Sequence, residues 1–212
     1  TRLQGDWSSD VCSSDLFNLS QLASIIGAIE NTGLKRFAVC QHIEGSDWKA
    51  VKEERREIID SLIDYAMQNP EMEVVTEQLY DDGVYLLQRV AESDPELAAE
   101  MEKLLAKQGG CPAGDRIVNV DYRGNVHLCP YWQDRTIGNI REQKLSDICF
   151  DEEDEILAMM KDKTQHLKGK CGRCMHKHLC RGCGARAEEM CGDLFGTDPA
   201  CYLTEKEVAA VR

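Results

Sequence analysis

The sequence has no long apolar run, no recognisable signal peptide and no general excess of positive charge. No apolar stretch approaches the roughly 18 residues that a membrane-spanning helix needs, so no membrane segment is expected. The formal net charge of −13 argues against broad binding to nucleic acids or anionic membranes. Without a signal peptide, a secreted disulfide framework is disfavoured, and a reduced, cytoplasmic protein is expected.

The composition is ordinary for a globular protein, but its positive charge is concentrated. The 212 residues are 42% hydrophobic and 30% charged, which allows a sizeable core and one or two domains. Between Lys168 and Arg186 there are six basic residues and no acidic one. Such a segment is either a solvated basic loop or a cationic environment for an anionic metal cluster or a substrate carboxylate.

The cysteines follow an unusual order. Nine of the eleven lie at or after Cys111, and two close pairs stand among them. Cysteines two residues apart can share one metal centre, because the short loop between them turns both sulfurs inward. The cysteines in this order are Cys111, Cys129, Cys171, Cys174, Cys180, Cys183 and Cys201. Zinc would accept the two close pairs alone and leave the other three unexplained, whereas iron–sulfur ligation can use the whole set.

The beginning of the chain looks foreign to the rest. Gly5 to Leu16 reads like the in-frame translation of a common sequencing-library adapter, so residues 1–16 are predicted to be an artefact and are excluded from fold reasoning. On this interpretation the chain starts inside a longer reading frame. Two glycines at 109 and 110 mark a further boundary, which divides the remainder into domains 17–108 and 109–205.

The domain 17–108 alternates helical and strand patterns, which favours α/β units with parallel strands. The helix after residue 46 has Asp47 as its predicted N-cap, and the last helix has Asp94 followed by a proline at its first position. The predicted order is helix 20–33, strand 35–42, helix 47–70, strand 72–76, and helices 83–92 and 95–107.

The domain 109–205 has a different pattern of predicted elements from the domain before it. Alternating residues and a turn at 122–125 predict a β-hairpin with Cys111 before its first arm and Cys129 at the end of its second. The further predictions are a helix over 145–161, a cysteine-rich loop over 168–183 and a short helix over 185–190.

This cysteine pattern resembles the SPASM domain, a C-terminal extension of radical S-adenosylmethionine (SAM) enzymes that holds auxiliary [4Fe–4S] clusters. Cys111 is followed after twelve residues by Gly124 and after four more by Cys129, and then come the two close pairs and a last cysteine. The resemblance covers about 110–203 and extends more weakly back to Phe17. It implies an α/β remnant of a partial (βα) barrel, followed by an α+β, cysteine-rich iron–sulfur domain.

The resemblance also implies two auxiliary [4Fe–4S] clusters. The implied ligand sets are Cys171, Cys174, Cys180 and Cys201 for one cluster, and Cys111, Cys129 and Cys183 for the other. The fourth ligand beside Cys111, Cys129 and Cys183 is unidentified, and an open iron site that binds substrate or a small ligand there is a hypothesis. The link between the cysteines of the last close pair is one residue shorter than in most SPASM domains.

Several phrases resemble the branch that serves haem and haem d1 biosynthesis, among them Leu34-Lys-Arg-Phe37, Asp82-Gly-Val-Tyr-Leu86 and Gly192-Asp-Leu-Phe-Gly196. Members of this branch modify porphyrin side chains, for example by oxidative decarboxylation of propionates. The resemblance therefore implies a porphyrin substrate and an electron donor or acceptor protein.

The CxxxCxxC triplet that defines radical SAM enzymes is absent from this sequence. In the full-length parent it would hold a third [4Fe–4S] cluster that cleaves SAM, so the parent is expected to be an oxidoreductase and this fragment alone inactive. Two alternatives stay open: a peptide or sulfatase maturase of the same superfamily, and a non-catalytic zinc-binding module.

Other residues are candidates of lower rank. Cys40 is interpreted as a buried small hydrophobe rather than a reactive thiol, and Cys149 as a core-packing residue rather than a ligand. The histidines are more often solvated or backbone-bonded than metal-bound, and an aromatic pair can equally pack over the hairpin. The metal candidates of this rank are Cys191, His127, His176 and His178, and the substrate candidates are Tyr131, Trp132, Asp134 and Arg135.

Overall fold

A parallel sheet organises the first half of the chain. The computed structural model describes residues 11–14, 21–30, 32–41, 52–77 and 79–209. Strands β1 (Val11–Ser14), β2 (Arg36–Gln41) and β3 (Glu73–Glu77) lie in that order and are all parallel. The predicted parallel pairing is thus confirmed for β2 and β3. Strand β1 lies in the segment that resembles an adapter, and the origin of that segment stays a prediction.

Four helices accompany this sheet. They are α1 (Leu22–Glu30), α2 (Lys52–Gln68), α3 (Asp81–Ser93) and α4 (Pro95–Gln108). The predicted start of α4 is confirmed, because Asp94 Oδ1 accepts a hydrogen bond from the backbone N–H of Leu97 at 2.9 Å. The predicted cap Asp47 lies outside the described residues. Helix α3 begins two residues before the predicted Gly83, and its two extra residues are both buried aspartates.

The largest core lies between α2, β2 and the end of the chain. One face of α2 buries Ile59 and Leu62 together with Phe37 of β2. The same core contains Cys174 and Tyr202 from the cysteine-rich half. The two halves therefore share apolar packing across the predicted boundary at 109, and α2 and α3 support the cysteine-rich segment directly.

A buried polar network reinforces this contact. The guanidinium of Arg55 is 1% exposed and lies 3.4 Å from Asp82 Oδ1 and 3.7 Å from Asp81 Oδ2. It also donates to the carbonyl of Ala200, and the Tyr202 hydroxyl donates to Asp82 Oδ1 at 3.0 Å. Burying these charges is tolerable because each has a partner of opposite sign or a hydrogen bond.

An antiparallel sheet opens the second half. Strands β4 (Asn119–Val120), β5 (Asn125–His127) and β6 (Thr136–Asn139) pair in sequence order. Asp121 Oδ1 accepts from the backbone N–H groups of Arg123 and Asn125, both at 2.8 Å, and closes the turn between β4 and β5. Strand β6 was not predicted, because its four residues carry little apolar alternation.

Short helices make up the remainder. They are α5 (Leu145–Cys149), α6 (Glu155–Lys161), α7 (Lys163–His166), α8 (Gly169–Arg173), α9 (Lys177–Cys180), α10 (Gly184–Cys191) and α11 (Glu205–Val208). The predicted single helix over 145–161 is wrong, because Asp154 Oδ1 accepts from the backbone N–H of Leu157 at 2.8 Å and starts a new helix. The predicted loop over 168–183 is wrong where α8 and α9 form. Among the described residues, no helix is long and apolar enough to cross a membrane.

Candidate metal centre

Four of the predicted cysteine ligands surround one cavity. They are Cys171 in α8, Cys174 just after it, Cys180 at the end of α9, and Cys201 in the tail. Apolar side chains such as Leu167 complete the wall, and two lysines, Lys170 and Lys177, also line it. The space is about 20 Å³, so a bound cluster would have to push the walls apart. These four are the residues that the resemblance assigns to one cluster.

A left-handed turn separates the members of the second close pair. Arg181 has φ 64° and Gly182 has φ 54°, so the chain reverses directly after α9. Cys180 therefore lines the cavity, whereas Cys183 lies near Cys111 and is influenced by its charge. The two residues between Cys180 and Cys183 reverse the chain, so the side chains of these two cysteines belong to different ligand sets.

The remaining three predicted ligands lie on the other side of this turn. Cys111 and Cys129 are buried in a second core with Trp132 and Phe195. The backbone N–H of Cys111 donates to the carbonyl of Cys180 at 3.0 Å, which ties the two sets together. Tyr80, at the start of α3, packs against the same core. Burial is the largest cause of a raised pKa of Tyr80, and the charges of Cys111 and Cys183 raise this pKa further. We call Cys111, Cys129 and Cys183 the first set, and the four cavity cysteines the second set.

The donor chemistry of the cavity fits an iron–sulfur cluster. Among the described residues, no three His, Cys, Asp or Glu side chains come close enough together to hold one metal ion. A zinc ion, with Zn–S bonds of about 2.3 Å, would draw four sulfurs together. The second set instead encloses a space with sulfur donors and an apolar wall, which fits the donor preference of an iron–sulfur cluster.

Burial controls the protonation of these thiols. It raises the pKa of Cys129, Cys171 and Cys174, that of Cys183 to about 11, and that of Cys201 to about 12. The thiols are therefore protonated at neutral pH when no metal is bound. Metal binding must release these protons, so cationic groups near the sulfurs assist it.

Asp198 is a site residue that the sequence did not single out. Its backbone N–H donates to Cys171 Sγ at 3.3 Å, and its carboxylate accepts from the backbone N–H of Cys183 at 2.9 Å. The Arg186 guanidinium also donates to this carboxylate, at 2.7 Å. Burial alone would raise the pKa of Asp198, but Arg186 and the hydrogen bonds outweigh it and hold that pKa below its usual range. One residue thus contacts both cysteine sets.

The predicted substrate candidates are placed differently from one another. Trp132 is buried, and its indole N–H donates to Glu188 Oε2 at 2.6 Å. Arg135 donates to the same carboxylate, with its guanidinium 5.4 Å from the Trp132 ring centroid. Tyr131 and Asp134 are exposed. Trp132 and Arg135 are therefore engaged within the chain, and a substrate contact at these positions stays a prediction.

The other metal candidates are not among the residues that line the cavity. His127 is buried beside the carbonyl of Arg135, with Nδ1 3.1 Å from that oxygen. His176 Nε2 lies 3.0 Å from Gln88 Nε2, and His178 is exposed. Cys191 is exposed and Cys149 is half-buried, while the side chain of Cys40 lies outside the described part of the chain.

Comparison with known proteins agrees with this arrangement. Residues 111–175 match the SPASM family model, an iron–sulfur cluster-binding domain. The chain is 34% identical over 164 residues to the Fe-coproporphyrin III synthase of Methanosarcina barkeri, covering 74% of this chain and 41% of the relative. It is 31% identical over 205 residues to the pre-heme d1 synthase of Dinoroseobacter shibae, covering 90% and 50%.

The fold agrees with a solved structure. The crystal structure of Streptococcus suis SuiB bound to S-adenosylmethionine matches 91% of this chain and 44% of its own, with a TM-score of 0.59 and 17% identity. The chain thus spans half or less of the length of each of these three proteins. The resemblance inferred from the cysteines is confirmed: residues 111–175 match the SPASM iron–sulfur cluster-binding domain, and the chain is similar to an Fe-coproporphyrin III synthase and a pre-heme d1 synthase.

Proposed function

We propose that this chain is the auxiliary-cluster portion of a radical SAM/SPASM oxidoreductase that modifies porphyrin side chains in haem biosynthesis. The observation that carries the proposal is the placement of four cysteines around one cavity, with Cys111 and Cys129 in a separate core and Cys183 beyond the turn at Arg181 and Gly182. The relatives named as Fe-coproporphyrin III synthase and pre-heme d1 synthase support the porphyrin substrate. In the whole enzyme strands β2 and β3 would belong to the last part of a partial barrel, and SAM and a third cluster would bind upstream.

Each set would hold one [4Fe–4S] cluster. Cys171, Cys174, Cys180 and Cys201 supply four thiolates around one cavity. Bound clusters would accept or donate single electrons between the substrate and an electron-transfer protein. The first set contributes three cysteines, and its fourth ligand stays unidentified.

The chain's own groups prepare the second set for an anionic cluster. The Lys170 ammonium donates to the carbonyls of Cys201 and Leu203, so its charge is fixed at the edge of the cavity. Lys177 is held on the same wall by a 3.2 Å hydrogen bond to the carbonyl of Gly172. Both ammonium groups offset negative charge that thiolate ligation creates, and the apolar wall excludes water.

Single cysteine variants test the two ligand sets separately. Chain purified anaerobically should be brown and hold about two clusters' worth of iron and sulfide. Cys171→Ser should lose the iron and sulfide of one cluster, and Cys111→Ser those of the other. Cys191→Ser is the matched control, because Cys191 is exposed and lies outside both sets. It should keep the full content.

The outcomes separate the competing functions. A colourless chain with one or two zinc ions would overturn the cluster proposal in favour of a zinc-binding module. If the clusters are present, the substrate is tested on the complete enzyme, including the upstream reading frame, by titration with a porphyrin that carries propionates. Binding of a peptide without any porphyrin affinity would favour the maturase alternative.

A further inference from the structure

Lys163 is a buried cation that has no carboxylate partner among the described residues. It is the first residue of α7, is 1% exposed, and donates from Nζ to the carbonyl of Gly182 at 2.8 Å. In the described part of the chain, no Asp or Glu oxygen lies within 4.0 Å of this ammonium. Burying an ammonium costs several kcal/mol unless an anion compensates it. The position of Lys163 therefore calls for negative charge nearby.

The surroundings show where that negative charge would come from. Gly182 lies in the turn between the two cysteine sets, and a Cβ at Gly182 would be 3.4 Å from Cys171 Sγ. A Cβ at Gly184, just past Cys183, would be 3.5 Å from Lys163 Nζ. The Lys163 ammonium is therefore held where the chain passes from the second set to the first.

The effect of this ammonium reaches both sets. Burial raises the pKa of Cys129 in the first set and of Cys171 in the second, and the charge of Lys163 opposes the rise in each case. The other cations differ. Arg186 is paired with Asp198, while Lys170 and Lys177 line the cavity of the second set. Lys163 combines complete burial, an uncompensated charge and proximity to both sets.

We propose that Lys163 is a positioning residue shared by the two clusters: its ammonium offsets their negative charge, and its bond to Gly182 fixes the turn between them. The inference rests on the proposed iron–sulfur ligation. One-electron reduction of a thiolate-ligated cluster adds one negative charge, which a fixed cation stabilises. Lys163 therefore raises the reduction potentials of both clusters together.

The test compares three variants of the full chain after anaerobic reconstitution with iron and sulfide. Iron and sulfide are counted first, and both midpoint potentials are then measured by redox titration followed by electron paramagnetic resonance. Lys163→Met should lower both reduction equilibrium constants at least tenfold, or about 59 mV for a one-electron couple. Lys163→Arg, which keeps the charge, should stay within threefold of wild type. Lys161→Met should leave both potentials unchanged, because Lys161 is exposed.

The outcomes distinguish this inference from the function on which it rests. Wild-type chain that binds zinc and no iron overturns the proposed function and the inference with it. Wild type with two clusters, but K163M with one or both potentials unshifted, overturns the inference alone. If K163M does not hold its clusters, the iron contents of Lys163→Gln and Lys163→Arg are compared instead. If only K163Q loses iron, the positive charge at this position is what the clusters require, and the inference is supported. If K163Q and K163R lose equal amounts of iron, Lys163 acts through packing alone and the inference is overturned.

Discussion

Asp82 shows how burial sets the charge of a single side chain. It is 4% exposed and lies beside the likewise buried Asp81. Burial and the neighbouring Asp81 carboxyl raise the pKa of Asp82 to about 7, although Arg55 opposes the rise. The folded state thus binds a proton that the unfolded chain, with an ordinary Asp pKa near 4, has released over the same pH range.

This difference makes stability depend on pH. Between about pH 4 and pH 7 the folded state binds more protons than the unfolded state, so the contribution of Asp82 to stability decreases as the pH rises. The decrease is on the order of 1 kcal/mol for each pH unit in that window. Asp82→Asn should remove it and be at least as stable as wild type at pH 8, as measured by urea unfolding at several pH values. The exposed Asp134→Asn should keep the wild-type slope; a D82N slope equal to wild type would contradict the prediction.

The residues of the candidate site were predictable to different degrees. The seven cysteines were predicted as ligands because metal ligation requires one residue type at short spacings, which a single sequence displays. Asp198 and Lys163 were missed, because their partners lie 27 and 19 residues away and arise only when α7, α8 and the tail pack together. Neither residue carries a local pattern that distinguishes it from a solvated charge.

At the scale of elements, a tightly enclosed glycine with positive φ lies at the junction between α4 and the cysteine-rich domain. Gly110 has φ 71°, and a Cβ there would lie 2.5 Å from the carbonyl oxygen of Leu179 and 2.9 Å from that of Cys180. Those carbonyls belong to backbone that cannot move without displacing a cysteine of the second set. Gly192, which ends α10, has a similar φ of 69°, but a Cβ there would meet no other part of the described chain within 4 Å.

The two glycines therefore form a matched pair for mutation. Gly192→Ala should cost about 1 kcal/mol, since only the left-handed backbone conformation is strained. Gly110→Ala should cost about 2–4 kcal/mol, since overpacking against fixed backbone adds to the same strain. Urea unfolding of both variants measures the difference. Equal losses would show that the close approach at Gly110 relaxes at little cost.

Elements were predicted well where they are long and amphipathic. Helices α2 and α4 and strands β2 and β3 follow apolar periodicity, which a single sequence contains. The short helices around the cysteines were missed or merged, because four or five residues form little more than one helical turn and show no repeat of the apolar pattern. Their ends depend instead on local capping, as at Asp154, and on the left-handed turn at Arg181.

At the scale of the molecule, the second cysteine set belongs to the same core as the α/β half. Cys174 and Cys201 lie in one apolar cluster with Leu62 of α2 and Val84 of α3. Composition predicted a boundary at 109, but periodicity could not show that packing crosses it, since that contact joins residues more than 100 positions apart. A cluster held by the second set would therefore stabilise both halves.

Loss of that cluster should destabilise α2 and α3. Cys174→Ser removes one of the four proposed ligands, so amide hydrogen exchange in both helices should accelerate at least tenfold relative to iron-loaded wild type, or about 1.4 kcal/mol. Exchange around α8 and α9 should accelerate by a similar factor, because residues of one cooperative core open together. The exposed Cys191→Ser should exchange like wild type, and the C174S difference should shrink once a chelator strips iron from both. Acceleration confined to α8 and α9 would show that the cysteine-rich half opens independently, and that the shared core does not transmit cluster binding to the sheet.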